Sequence, residues 1–302
     1  MITFKRGVVD IVFDVFLYVF FAAFTLICVV PFYYIFVQTI SANDLVSKGQ
    51  VLLLPRGVHF GNYIKIFELE ALPGAALVSI ARTAIGTFTH VLCTGFLGYM
   101  FTKKKIFARK IVYRYFVVTM YFGAGLIPTY LNMRLLHLDN TFLLYVIGVV
   151  GVYSAILIKT FIESIPASIE ESAMIDGAGP FTIYGRLMIP MCMPILAVVA
   201  VWSAVGHWNS FMDTVIYIRD SRLYTLQFIL WRYLNEVTML TNRMNSADNI
   251  DMVDLMMQQA RRLTPTSIKM TITMVVTFPV LFVYPFFQRY FVKGIMIGAI
   301  KG

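Results

Sequence analysis

Four acids and one base stand between two long apolar stretches, in the segment from residue 162 to residue 187. These residues are Glu163, Glu170, Glu171, Asp176 and Arg186. Carboxylates beside small side chains can form ion pairs with a basic groove on another protein, because small residues let two backbones approach closely. An amphipathic linker lying on the membrane is the alternative, although such linkers usually carry more Lys and Arg. The pattern alone does not decide between a segment that docks on another protein and an amphipathic linker.

The same segment predicts a short helix–turn–helix. A first helix is expected to begin near Ser164 and Pro166, because serine caps helix N-termini and proline is accepted in the first turn. The residues that share one face of this helix recur at every fourth position. They are Ile165, Ile169, Ala173 and Gly177. The run Gly177–Gly179 then ends the helix, and Pro180 begins a second one.

The rest of the chain has the composition of a membrane protein. It has 302 residues, of which 59% are hydrophobic and 14% charged, and its mean hydropathy is +0.76. A soluble domain cannot keep that much apolar surface away from water. Apolar runs of about 20 residues can cross a bilayer as helices, and six are predicted, at 15–40, 77–101, 111–131, 141–161, 188–211 and 268–291. The predicted fold class is an all-α polytopic membrane protein, with residues 1–302 as one transmembrane domain.

Lysines and arginines in the short loops predict the orientation. The segment Thr102–Lys110 carries five basic residues in nine, and Lys5 and Arg6 precede the first span. Three more follow the last span: Arg289, Lys293 and Lys301. With six spans these places share one side, so both termini and the loop 162–187 are expected in the cytoplasm. The loop 212–267 is then external despite its arginines, since long loops translocate with less regard to charge. Topology therefore explains the net charge of +9 without nucleic acid.

Catalytic and metal-binding signatures are missing from the sequence. The four histidines are too dispersed for a zinc motif, and no phosphate-binding P-loop or nucleophile elbow is present. Three cysteines in apolar segments, Cys28, Cys93 and Cys192, predict core packing rather than disulfides or a metal site. We expect a non-enzymatic chain that binds no metal or cofactor of its own.

Ionisable residues inside the predicted spans are few. No clearly central carboxylate is present in spans two to six, which disfavours a proton-coupled secondary carrier. If the chain uses energy, that energy would therefore come from another protein.

One spacing in the acidic segment resembles a known family motif. Glu171-Ser172-Ala173, three residues, Gly177, nine residues and then Leu187-Met188-Ile189-Pro190 is similar to the signature E-A-A-x3-G-x9-I-x-L-P of ABC-importer permease subunits in bacteria. The sequence departs from it at Ser172, Leu187 and Ile189, each a mild change of volume.

Three further stretches are similar to the carbohydrate importers of the MalG type and their LplC-like branch. They are "YFGAGLIPTYL" at 121–131, "SFMDTVIYIRDSRLYTL" at 210–226 and "RYFVKGIMIGAIKG" at 289–302. The resemblance covers essentially the whole chain. It implies a type I importer permease fold in the bacterial cytoplasmic membrane, and a substrate that is an oligosaccharide or an oligomer of sugar acids. An importer of a non-sugar solute is the alternative, and a self-sufficient carrier is a more distant one.

The resemblance also implies partners and contacts. A second, homologous permease, two cytoplasmic ATPase subunits that bind ATP and Mg²⁺, and an external sugar-binding protein are expected, the last against the loop 212–267. The residues expected to couple to the ATPase are Glu171, Ser172, Ala173, Asp176, Gly177 and Pro190. The residues by which the C-terminal tail would contact it are Gly294, Gly298, Lys301 and Gly302.

Sugars are recognised by aromatic faces together with amides and acids. The candidates that would supply these groups along the outer half of the pathway are Tyr121, Tyr130, Asn132, Trp208, Asn209 and Asp213. Each aromatic can equally serve packing or an interfacial belt. Arg82 would either pair with a sugar acid or extend to the membrane interface, and the sequence slightly favours the interface.

Overall fold

The computed structural model describes residues 7–68, 71–147, 150–245 and 266–281. All regular secondary structure in these ranges is helical. The contacts group the described residues into two compact units. The first unit holds 7–68, 232–245 and 266–277, and the second holds 71–147, 150–231 and 278–281.

The first unit begins with α1 (Val8–Thr39), followed by α2 (Asn43–Ser47) and α3 (Gly61–Phe67). Helix α1 is apolar on all sides, and its most apolar window has a mean hydropathy of 2.5 with no residue buried. A helix that is hydrophobic all round is typical of a membrane span. The end of α1 is fixed by buried amides, since Gln38 Nε2 donates to the Val51 carbonyl (2.7 Å) and Asn62 Nδ2 donates to the Thr39 carbonyl (2.9 Å).

The remaining helices follow in chain order. They are α4 (Ala71–Thr102), α5 (Arg109–Thr119), α6 (Leu126–Leu135), α7 (Val152–Glu163), α8 (Ala167–Ile175), α9 (Pro180–Thr182), α10 (Ile189–Met191), α11 (Met193–Asn209), α12 (Met212–Tyr217), α13 (Leu226–Asn245) and α14 (Thr266–Leu281). Short 3₁₀ turns cover Phe142–Tyr145 and Ser221–Leu223, and a π-helical segment, Ile183–Met188, joins α9 to α10.

Helix α4 is the central element of the second unit and packs against α7 and α11. Glycines on α4 permit the close approach. A Cβ added at Gly98 would lie 2.9 Å from the Ala155 carbonyl oxygen, and one at Gly86 would lie 2.6 Å from Cε1 of His207. Small residues at such contacts are how helices pack closely inside a membrane.

Within the described residues, α1 and α4 are each long and apolar enough to cross a bilayer. Two bent pairs also satisfy those criteria if each pair is counted as one span. These are α7 with α8, bent by 78°, and Pro180–Met191 with α11, bent by 79°. Length and composition thus give two to four spans in this part of the chain.

The predicted third span, 111–131, is two helices rather than one. Helix α5 ends at Thr119 and α6 begins at Leu126. Gly125 stands before α6 with φ +82° and ψ 178°, a conformation that is open essentially to glycine alone. Pro128 lies in the first turn of α6, where its missing N–H costs little, so it does not kink the helix. The glycine-containing segment, and not the proline, interrupts this span.

The predicted fourth and fifth spans are also discontinuous. The fourth, 141–161, starts as the 3₁₀ turn, and α7 begins only at Val152. The fifth, 188–211, bends at Cys192. Pro190 cannot donate to the preceding turn, and both a proline and a π-helical segment are established causes of helix kinks. The sixth, 268–291, is helical in α14, and its last ten residues lie outside the described residues.

Candidate functional site

The acidic segment folds into the predicted helix–turn–helix, with one difference at its start. Helix α8 begins at Ala167 with Pro166 as its N-cap residue. Ser164 instead ends α7, and its hydroxyl donates to the Phe161 carbonyl at 2.7 Å. The prediction that Ser164 starts α8 is therefore wrong. Because serine also bonds carbonyls of the preceding turn, its presence marks a helix end as readily as a helix start.

The end of α8 is a Schellman turn centred on Gly177. The Gly177 N–H donates to the Met174 carbonyl (3.1 Å), and the Ala178 N–H donates to the Ala173 carbonyl (2.9 Å). Gly177 has φ +81°, which glycine adopts without steric cost. The turn predicted at this position is present, and its proposed role in coupling stays a prediction.

Helix α8 has an inner and an outer face. On the inner face, Ala173 packs against a buried cluster that includes Tyr99, Ile158 and Ile162, and Ile165, two residues before the helix, packs against the same cluster. The outer face is exposed and combines acids with large apolar side chains. It comprises Glu171, Ser172, Met174 and Ile175 of α8, and we count with it Asp176, which caps α8, and Phe181 of α9. Ile175 is 86% exposed and Phe181 77%, so this face presents apolar anchors beside carboxylates.

The predicted coupling residues do not all meet on this face. Glu171, Ser172 and Asp176 lie on it, whereas Ala173 is half-buried against the cluster. Pro190 lies outside the helix and turn, in the short helix α10. Its position indicates a role in bending the chain at Cys192.

One ion pair joins the C-terminal end of α4 to α8. The Lys103 ammonium bonds the Glu170 carboxylate and lies 3.9 Å from the centre of the Tyr99 ring. The Tyr99 hydroxyl in turn donates to the Pro180 carbonyl at 3.3 Å. Helix α4 is thereby connected to both helices that flank the Gly177 turn. Such a connection can transmit a displacement of α8 to a long apolar helix.

Replacing Lys103 with glutamate is expected to loosen α8 from α4. The Lys103 and Glu170 side chains are only 21% and 19% exposed, so reversing one charge places two carboxylates together at a cost of about 1–3 kcal/mol. Amide hydrogen exchange over 167–175 should accelerate by roughly tenfold, about 1.4 kcal/mol, and the double variant Lys103→Glu/Glu170→Lys should restore it. Lys104→Glu, at the exposed neighbouring position, is the control and should leave exchange unchanged. Equal exchange in the two single variants would contradict the role of the pair.

A polar cavity of about 460 Å³ lies in the second unit, within the range of small-molecule sites, about 300–1,000 Å³. Its polar lining consists of Arg82, His90, Tyr145, Ser203, His207, Ser210 and Asp213. Leu144, Ile147 and Val150 add apolar surface. A space of this size with convergent polar groups is a candidate ligand site.

Arg82 is the best-defined group in this cavity. It is only 3% exposed, and its two terminal nitrogens bond the two carboxylate oxygens of Asp213. Nη1 also donates to the Ser210 carbonyl (3.1 Å), and the guanidinium lies 4.4 Å from the centre of the Tyr145 ring. The preference for an Arg82 that extends to the membrane interface is therefore wrong. A buried guanidinium requires a counter-ion, which Asp213 provides.

Two donors in the lining have no partner among the described residues. They are Arg82 Nε and the Ser203 hydroxyl, both buried. His90 is engaged, with Nε2 3.2 Å from the Ser154 hydroxyl oxygen. Buried polar groups are normally hydrogen-bonded, so the two orphaned donors indicate that the cavity takes a polar molecule or water.

Of the six residues predicted to line a sugar pathway, the cavity contains only Asp213. Tyr130 stacks on Tyr217 with ring centroids 5.7 Å apart, and Asn209 Oδ1 accepts from Gln227 Nε2 at 3.1 Å. Tyr121 and Asn132 are exposed, and Trp208 is half-buried. The tail residues Gly294, Gly298, Lys301 and Gly302 lie outside the described residues.

The cavity was not predicted from the sequence, although the sequence contains a pattern that indicates it. Arg82, Gly86 and His90 follow at intervals of four residues on α4, so they lie on one side of the helix. Ionisable residues inside a membrane segment are functional candidates by default. Because Arg82 and His90 share one side of α4, the same reasoning predicts that they line a functional cavity instead of extending to the interface.

Comparison with known proteins identifies the family. No family model matches the chain. The polygalacturonan/rhamnogalacturonan transport system permease protein YtcP of Bacillus subtilis is 31% identical over 291 residues, which cover 96% of this chain and 98% of that protein. The chain belongs to the carbohydrate ABC-importer permeases. A second relative of this permease, the protein LplC of the same organism, is also 31% identical, over 96% of this chain and 95% of the relative.

Solved structures agree with this assignment. A bacterial ABC transporter involved in the import of the acidic polysaccharide alginate contains a chain with a TM-score of 0.81 to this permease at 27% identity. The match covers 96% of this chain and 100% of that chain. The bacterial alginate transporter in complex with its alginate pentasaccharide-bound periplasmic protein matches with a TM-score of 0.51 at 16% identity, which supports the fold alone. The permease is a helical membrane protein of this importer fold.

Proposed function

We propose that this permease is one half of the transmembrane pathway of an ATP-driven importer for oligosaccharides or oligomers of sugar acids. A second, homologous permease would form the other half, and an external sugar-binding protein would deliver the cargo. The permease itself performs no bond chemistry. Two cytoplasmic ATPase subunits would bind ATP and Mg²⁺ and hydrolyse the nucleotide.

The observation that carries the proposal is the relationship to sugar permeases across 96% of the chain. The outer face of α8 supports the coupling role. Its exposed Ile175 and Phe181 beside Glu171 and Asp176 have the composition of a docking surface, with apolar anchors and charges that select the partner. Closure of the ATPase dimer would move this face, and the Lys103–Glu170 pair would pass the movement to α4.

The topology belongs to the same proposal. We infer six spans in the cytoplasmic membrane of a bacterium, with both termini and the loop 162–187 in the cytoplasm and residues 1–302 forming a single permease domain. The C-terminal tail, through Gly294, Gly298, Lys301 and Gly302, would form a second contact with the ATPase. The external loop 212–267 would face the binding protein.

The substrate class rests on the names of the relatives, which include transport permeases for polygalacturonan/rhamnogalacturonan, for melibiose, raffinose and stachyose, and for arabinooligosaccharides. An importer of a non-sugar solute is the alternative within the family. A secondary carrier is disfavoured because Asp213, the carboxylate in the cavity, is already paired with Arg82.

The test is affinity purification of the tagged permease from native membranes, followed by reconstitution in liposomes. We expect an ATPase and a second permease to copurify, and uptake of an oligosaccharide to require ATP and the binding protein. A permease that purifies alone and moves solute without ATP would overturn the proposal and favour a carrier. ATP-driven uptake of amino acids or phosphate esters, but not of oligosaccharides, would favour the non-sugar importer.

A further inference from the structure

The polar cavity contains a charge arrangement that a neutral ligand site does not need. Arg82 is more than nine-tenths buried, and it lines the cavity. Burying a cation is costly unless an anion compensates it. A site for neutral sugars alone could use amides and hydroxyls in its place, and the lining already contains the hydroxyls of Ser203 and Ser210.

The anion that now compensates Arg82 can be exchanged. The Asp213 side chain is 26% exposed, so its carboxylate can reach water. Its Oδ1 also accepts from the Thr214 N–H (2.9 Å) and the Ser210 hydroxyl (3.2 Å). Asp213 therefore retains two donors if Arg82 is withdrawn, and its desolvation cost is small.

Arg82 likewise keeps partners that do not depend on Asp213. The Ser210 carbonyl and the face of the Tyr145 ring hold the guanidinium in place. Its Nε has no acceptor among the described residues, and the buried Ser203 hydroxyl in the same lining has none either. A planar guanidinium with an open Nε matches a carboxylate, which accepts two parallel N–H bonds. The orphaned donors are therefore arranged for a ligand rich in oxygen acceptors.

We propose that the cavity binds one acidic sugar residue, whose carboxylate takes the place of Asp213 as the partner of Arg82. This inference rests on the proposed function and narrows its substrate class to oligosaccharides that contain uronic acids. The exchange keeps one anion on Arg82 in both states, so the guanidinium is never left unpaired as cargo enters or leaves. A neutral sugar has no carboxylate that could replace Asp213 beside Arg82, so the Arg82–Asp213 pair would stay intact.

The test compares digalacturonate with its dimethyl ester, which has the same rings and no charge. Calorimetry measures the binding of each of the two ligands to the complete purified transporter in nanodiscs, without the binding protein. We expect the acid to bind at least tenfold more tightly than the ester. In the double variant Arg82→Gln/Asp213→Asn, which keeps hydrogen-bonding groups and removes both charges, the two ligands should bind equally. ATP-driven uptake of digalacturonate with the binding protein is measured on the same preparations.

A matched control removes a similar ion pair elsewhere. Arg222 and Asp220 form a pair outside the cavity, with the Arg222 side chain 88% exposed. Arg222→Gln/Asp220→Asn should keep the preference for the acid. Loss of the preference in this control, but not in the cavity variant, would place acid recognition elsewhere and overturn the proposal.

The failure of this proposal can be distinguished from the failure of the proposed function. Equal binding of acid and ester by the unmodified transporter overturns charge recognition at the cavity, and this result does not depend on whether any variant assembles. If neither ligand binds while ATP-driven uptake of an oligosaccharide persists, the cavity is not a subsite and the importer assignment stands. If no saccharide is taken up under any condition, both proposals fail.

Discussion

Glu171→Lys is expected to lower ATP-driven uptake at least tenfold while leaving the amount of permease in the membrane unchanged. Glu171 lies on the exposed outer face of α8, so folding does not depend on it. If its carboxylate meets a basic group of the ATPase, reversal replaces an attraction with a repulsion. Removing one partner of a buried charge pair at an interface costs about 2–5 kcal/mol, and about 1.4 kcal/mol already corresponds to tenfold. Uptake and ATP hydrolysis are measured together in proteoliposomes.

Glu163→Lys is the matched control for this variant, because it changes the net charge by the same amount in the same loop. Glu163 is exposed and pairs with Lys159, at 2.7 Å within α7, an interaction of little energetic value. Its uptake should stay within twofold of the wild type. Unimpaired uptake by Glu171→Lys would contradict the docking role and favour the alternative that the segment is an amphipathic linker.

The helix–turn–helix could be predicted from the sequence because its determinants are local. Gly177 ends α8 in a conformation that glycine favours, and Pro180 begins the next helix in its first turn. Both effects act within a few residues of the chain. The exception was Ser164, which bonds the turn behind it instead of the one ahead. A serine between two helices is compatible with either choice.

The cavity could not be predicted in the same way, because its central contact is not local. Arg82 and Asp213 are 131 positions apart in the sequence. Whether an arginine in an apolar segment extends to the interface or is buried depends on the helix that packs beside it. On α4, the close approach of Gly86 to His207 determines that Arg82 is buried. Neither a glycine nor a histidine predicts such a contact from the sequence.

The interruptions of the predicted spans have a comparable cause. Hydropathy detects apolar segments but responds weakly to a single Gly125 or Pro190, whose effects are on backbone geometry. Broken helices at membrane depth are tolerated where protein covers them or where they line a cavity. Ile147 and Val150, which precede α7, indeed line the cavity. The interruption of the fourth predicted span therefore adjoins the cavity, and the sequence predicted neither of them.

Gly98→Leu is expected to prevent assembly of the second unit. A Cβ at Gly98 would stand 2.9 Å from the Ala155 carbonyl oxygen and 3.0 Å from the Ile158 Cβ. One of these atoms is backbone, so the neighbour cannot yield by a rotamer change, and α7 would have to move away from α4. Overpacking of this kind costs about 1–3 kcal/mol, and separation of the helices would also disrupt the cluster of Tyr99, Ile158 and Ile162 that supports α8. We expect less than a tenth of the normal yield of monodisperse complex by size-exclusion chromatography in mild detergent.

Gly74→Leu is the appropriate comparison, because it adds the same side chain to the same helix. Gly74 is exposed, and apart from its chain neighbours and the backbone of its own helix, no atom of the described residues lies within 4 Å of an added Cβ. Replacing a helical glycine also gains up to about 1 kcal/mol in helix propensity, so this variant should assemble as well as the wild type. Gly98→Ala distinguishes the effect of the close contact from the effect of a large side chain, since it introduces only the Cβ. This variant should lower the melting temperature without abolishing assembly. If Gly98→Leu assembled as well as Gly74→Leu, the close contact between α4 and α7 would not be what determines their spacing.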